Sequence, residues 1–92
     1  MPIARHFLVT GRVQGVGFRY FAETTARGLG IHGFVRNLRD GGVEALAEGP
    51  AEAVAAFESA LRQGPSHAEV TAVSVREVAG GEHQGFTVAP TR

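Results

Sequence analysis

At 92 residues the chain has room for one modest hydrophobic core and not for two. Nine acidic residues balance nine basic ones, all of them arginine, so no global field draws a polyanion. The lack of cysteine excludes disulfides, thiolate chemistry and Cys-type zinc sites, and the lack of lysine excludes Schiff-base chemistry and a P-loop lysine.

The start, MPIARH, turns polar at Arg5 and His6, and no later apolar run approaches membrane-spanning length, so neither a leader nor a span is expected. Residues 4–10 read as a strand with Phe7 and Val9 buried. Gly11–Arg19, GRVQGVGFR, follows: three glycines, two arginines and no acid. Phe18, Phe21, Ala22, Thr25, Ala26 and Leu29 then recur at helical spacing, Arg19, Glu23 and Arg27 occupy another face, and Gly28 and Gly30 end the helix. IHGFVRNL, residues 31–38, reads as a strand with Ile31, Gly33, Val35 and Asn37 on one face. Asp40-Gly41-Gly42 signals a tight turn, which pairs the next strand, Val43–Glu48, as a hairpin. Gly49-Pro50 opens a second helix with Val54, Phe57 and Leu61 as its buried stripe, and Gly64-Pro65 stops it. Val70, Val73 and Val75 mark a fourth strand, Gly80-Gly81 a turn, and Gly85–Val88 a short last strand, expected to form a hairpin. This β-α-β-β-α-β order predicts an α+β, ferredoxin-like sandwich: an antiparallel sheet with two helices on one face and a short extra C-terminal strand.

Two features carry chemical interest. A glycine-rich turn feeding a helix presents unpaired amides at the positive end of the helix dipole, a concavity suited to an oxyanion. Arg19, in the first helical turn, opposes that dipole at a cost of roughly 0.3–1 kcal/mol, which a bound anion offsets. The competing readings are a structural tight turn and an ordinary surface arginine. The loop lacks G-K-S/T, and Tyr20 stands where G-x-G-x-x-G needs its third glycine. Asn37, at a strand end, either bonds the local turn or holds a water by donating and accepting at once. His6, His32, His67 and His83 lack metal-ligand spacing, the acids form no obvious pair, and Ser59, Ser66 and Ser74 have no nucleophile elbow.

GRVQGVGFR, then GFVRN at 33–37 and DGGVEALAEGP at 40–50, closely resemble the acylphosphatase family, with a match covering nearly the whole chain. The resemblance implies a single acylphosphatase-like domain over residues 1–92 that hydrolyses carboxyl-phosphate bonds without cofactor or metal. It implies that Arg19 binds the phosphate, that the backbone amides of Gly15, Val16, Gly17, Phe18 and Arg19 form the cradle, and that Asn37 positions the attacking water. The corresponding expectations are a small acyl phosphate as substrate, inorganic phosphate as product and inhibitor, no nucleic-acid or membrane partner, a monomer, and a cytoplasmic location. Phe34 stands where the family often has tryptophan, and the chain runs a few residues past the usual end after Val88. Two rival classes remain at this stage. An RNA-recognition module shares the strand order but needs aromatics on the open sheet face and a basic surface. An anion receptor without turnover keeps the loop alone.

Overall fold

The computed structural model describes residues 2–92. In chain order the elements are β1 (Pro2–Arg12), α1 (Phe18–Gly28), β2 (His32–Asn37), β3 (Val43–Pro50), α2 (Ala51–Gln63), β4 (Glu69–Glu77) and β5 (Phe86–Val88). The sheet order is β4-β1-β3-β2-β5. α1 lies over β2 and β5, and α2 over β1, β3 and β4, so both helices cover one face of the ferredoxin-like sandwich.

Strand alternation builds the core. Phe7 and Val9 of β1 stand opposite Ala45 and Val43 of β3, and Val35 of β2 stands opposite Ala45; all are fully buried. Phe57 of α2 meets Phe7 edge-on at 5.8 Å and Phe86 of β5 at 5.7 Å, so one aromatic ring links the centre of the sheet to its far edge. α1 contributes Phe18, Ala22 and Ala26, and α2 contributes Val54, Phe57 and Leu61, the stripes that the periodicity predicts. In β4 the register shifts between Thr10 and Gly11 of its partner: Thr10 faces Ala72, but Gly11 faces Val70. This bulge changes the parity of the strand, which lets both Val70 and Val73 pack on the core.

The last strand corrects the sequence reading. It makes no hairpin with β4 but runs parallel to β2 at the opposite edge, so the sheet is mixed. Residues 78–85 cross the face away from the helices to get there. Val78 N donates to Ala4 O (3.1 Å), Gly81 N to Glu48 Oε2, and Gly85 N to His32 Nδ1 (2.7 Å). Ala4, Glu48 and His32 form one row across β1, β3 and β2. Gly80-Gly81 therefore sits mid-crossing and is not a hairpin turn. The physical reason is burial: on the β2 side Phe86 reaches Phe57, and the short strand also covers an otherwise unpaired edge.

The open face carries one sheet aromatic, Phe34. Its ring is flanked by His83 (centroids 5.6 Å apart) and by the Arg36 guanidinium at 4.9 Å. Beside it, Glu44 Oε2 meets His6 Nε2 at 2.6 Å, and Glu44 Oε1 accepts from Arg36 Nε at 2.6 Å. Burial alone pushes the Glu44 carboxyl up, but the bonds from His6 and Arg36 outweigh it and hold it below its ordinary value. A carboxyl depressed in the folded state binds fewer protons folded than unfolded. Its stabilisation is complete above the unfolded pKa of about 4.3 and disappears as pH falls through the lower folded value. Glu44→Gln is therefore expected to destabilise the protein by about 1–3 kcal/mol at neutral pH. In urea unfolding from pH 7 to pH 3 the gap to wild type should narrow, and a pH-independent gap would contradict this account.

Candidate active site

β1 and β2 both run antiparallel to β3 and so run parallel to each other with β3 between them. Their C-terminal ends meet at Val43, which stands opposite Val9 on one side and Asn37 on the other. The segment leaving β1 thus starts beside the end of β2, at the edge where sheets of this kind expose loop backbone and helix starts.

That segment is held by its apolar residues and shaped by its glycines. Val13 and Phe18 are buried at either end, and the half-buried Val16 packs on the core between them. Gly15 (φ 75°) and Gly17 (φ 79°) adopt left-handed backbone, and Gly17 is the N-cap of α1. No side chain caps the helix and no acid lies in its first turn. Its first internal bond runs from Phe21 N to Gly17 O at 3.0 Å. Among the described residues, no amide from Gly15 to Arg19 donates to a backbone or side-chain acceptor. A row of free N–H groups at a helix start is an anion receptor.

Arg19 adds a guanidinium to that row. Glu23, one turn on, is its nearest helical counter-ion by spacing, yet Glu23 pairs with Arg27 at 2.9 Å. Among the described residues Arg19 makes no ion pair and no side-chain hydrogen bond. Across from it, the buried Asn37 Oδ1 has no donor. The β2–β3 turn is bonded instead by Asp40 Oδ1, which accepts from Gly42 N at 2.9 Å, and by Gln14. The turn-bonding reading of the Asn37 side chain does not hold. An orphan amide oxygen costs about 1–3 kcal/mol unless solvent or a ligand meets it.

These groups share a cleft of about 360 Å³. Gly15, Gly17, Phe18 and Arg19 line it together with Asn37, and Val13, Tyr20 and Val88 complete the lining. Val16 is the one expected cradle residue outside the lining, because its side chain turns into the core. Among the described residues Arg19 is the only charged one in the lining, and no Asp, Glu or His lines the cleft. Of the histidines, His6 and His32 are engaged on the open face, His83 lies against Phe34, and His67 is exposed in a loop. Sequence reasoning missed Tyr20 (73% exposed) and Val88 in the lining, and the bonds of Gln14 to the β2–β3 turn beside it. Only the position of Gln14 within GRVQGVGFR offered a signal, since its bonding partners lie in another element.

The chain is thus a small α+β protein, a ferredoxin-like sandwich whose uncapped, glycine-shaped helix start shares a cleft with a strand-end carboxamide. The profile of the acylphosphatase family matches residues 5–88. An acylphosphatase from Roseiflexus sp. (strain RS-1) is 51% identical over 90 residues, covering 96% of this chain and 97% of the relative. One from Syntrophotalea carbinolica is 47% identical over 88 residues, covering 95% and 96%. The crystal structure of acylphosphatase from Bacillus subtilis superimposes with a TM-score of 0.91 at 42% identity, covering 95% of this chain and 98% of that one. Full-length HypF in its phosphate- and nucleotide-bound form also superimposes, with a TM-score of 0.91 at 30% identity, over 99% of this chain but 12% of HypF. The chain belongs to the acylphosphatase family. Its activity is that of an acylphosphatase, an enzyme acting on small acyl phosphates.

The left-handed cap at Gly17 has a consequence for stability. A Cβ at Gly17 meets no atom within 4 Å, so a substitution there is limited by backbone conformation and not by space. Gly17→Val is expected to lose about 1–2 kcal/mol, and Gly17→Asn clearly less, because Asn tolerates the left-handed region. Urea denaturation of both variants measures this; equal losses would assign the cost to something other than φ.

Proposed function

We propose that Arg19 and the backbone amides of Gly15, Val16, Gly17, Phe18 and Arg19 bind the phosphoryl group of an acyl phosphate, and that Asn37 holds the attacking water. The observation that supports this most directly is shared occupancy. Guanidinium, loop and carboxamide line one cleft, and among the described residues the donors of the first two are not spent internally. The guanidinium fork and converging amides neutralise charge on the equatorial oxygens, the main demand of phosphoryl transfer. A water that donates to Asn37 Oδ1 keeps a lone pair for phosphorus. The new P–O bond forms as the bond to the acyl oxygen breaks, releasing carboxylate and inorganic phosphate.

The leaving carboxylate has a conjugate acid with pKa of roughly 4 and departs unprotonated at neutral pH, so the cleft needs no general acid. Among the described residues no Asp, Glu or His lines the cleft, so the water's proton passes to a phosphoryl oxygen of the substrate itself. On this reading no cofactor or metal takes part, inorganic phosphate returns as an inhibitor, and residues 1–92 work as one domain. The partner is a small molecule and not a nucleic acid: the single open-face aromatic is already flanked by His83 and Arg36. Among the described residues no helix is long and apolar enough to cross a membrane. From the resemblance to the family, we take the enzyme to act in the cytoplasm as a monomer.

Benzoyl phosphate hydrolysis, with inorganic phosphate as competitive inhibitor, tests these roles. Arg19→Ala should lose phosphate affinity and most activity, and Arg19→Lys should recover little, because a point charge does not reproduce a bidentate fork. Near-normal phosphate inhibition of Arg19→Ala would refute the cradle. Asn37→Ala should lower kcat by roughly 10²-fold or more while phosphate still binds. Parallel loss of phosphate binding in that variant would make Asn37 structural.

A further inference from the structure

Gln14 belongs to the GRVQGVGFR stretch, yet neither the cradle nor the water-holding role uses it. Its half-buried side-chain amide spends both hydrogens on the β2–β3 turn: Nε2 donates to Leu38 O at 2.7 Å and to Gly42 O at 2.8 Å. Two carbonyl oxygens require the NH₂ end of the amide, so the chemistry fixes its orientation. The turn does not need these bonds to close. Leu38 N already donates to Gly42 O at 2.9 Å, Gly41 N to Leu38 O at 3.1 Å, and Gly42 N to Asp40 Oδ1 at 2.9 Å. What Gln14 adds is a tie between two segments far apart in the chain.

The ends of that tie adjoin the two halves of the site. Gly15, the first cradle residue, directly follows Gln14, and Asn37 directly precedes Leu38. Resting on the function proposed above, we propose that Gln14 is a positioning residue for hydrolysis: its double hydrogen bond sets the distance between the phosphate cradle and the Asn37 carboxamide. The cradle's own shape does not depend on the tie, because Gly15, Gly17, Val13 and Phe18 fix it within one continuous segment. Gln14 thus governs how water meets phosphorus, and leaves largely untouched how phosphate is held.

Gln14→Met keeps the length of the side chain and removes both donors. With benzoyl phosphate it should lower kcat about 10-fold or more, the scale of a misaligned attacking group, while the inhibition constant of inorganic phosphate stays within about 3-fold, as expected for an intact cradle. In an Asn37→Ala background the same substitution should cost less than about 2-fold in kcat, because residues acting as a unit are non-additive. Losses that multiply in the double variant, or phosphate affinity falling in step with kcat, would overturn the positioning role while leaving the function of Asn37 intact. If Asn37→Ala alone retained full turnover, the reading of the site would fail and the role of Gln14 with it. Should Gln14→Met not accumulate as folded protein, Gln14→Asn, whose stem is one methylene shorter, should show the same kcat-specific loss, and full activity in it would overturn the proposal.

Discussion

A helix whose first amides have no internal acceptor lies at the centre of this molecule. The first amides of any helix are left to solvent, side chains or a ligand, and the left-handed conformation at Gly17 that leads into this one suits few residues other than glycine. Arg19 adds a positive charge at the end of the dipole that least favours one. That charge is unfavourable for a bare helix and favourable for a helix that receives an anion. The rest of the chain keeps this start open: Val13 and Phe18 pin the loop from below, and Glu23 is occupied by Arg27.

The sheet supplies the second half of the site through its order. Because β3 separates β1 and β2 and runs against both, the ends of the two outer strands arrive at the same edge beside Val43. No residue of the loop has to reach far to face Asn37. The alanines of β3, Ala45 and Ala47, suit this position: they leave room on the helix-facing side for Phe57, which touches Phe7 in one direction and Phe86 in the other. Packing at the centre of the core and geometry at the sheet edge therefore have a common origin.

Legibility in the sequence followed the range of the interaction. The stripes Phe18-Ala22-Ala26 and Val54-Phe57-Leu61, the alternation through Val43-Ala45-Ala47 and the turn at Asp40-Gly41-Gly42 are local patterns, and the folded chain keeps them. The destination of β5 was not legible, because it is decided by what Phe86 packs against, a contact with Phe57 across the core. The bulge that puts Val70 and Val73 on the same side is likewise a matter of pairing with Thr10 and Gly11. At the candidate site, Arg19 and Asn37 were singled out by residue type and by resemblance to a family. Their common cleft was not, since spacing along the chain does not measure distance across a sheet. Gln14 was invisible for the same reason: a side-chain amide in a glycine-rich stretch looks like surface until the two carbonyls it bonds are known.

The place of β1 between β3 and β4 also bears on how the chain reaches this state. Phe7, near the beginning, stands opposite Ala45 from the middle and Val75 from near the end. β1 is therefore fully paired only when partners from distant parts of the chain have arrived, and closing such wide loops costs entropy before any contact compensates. Long-range pairing of this kind weighs against fast assembly. Until β4 docks, one flank of β1 lies bare in the nascent sheet.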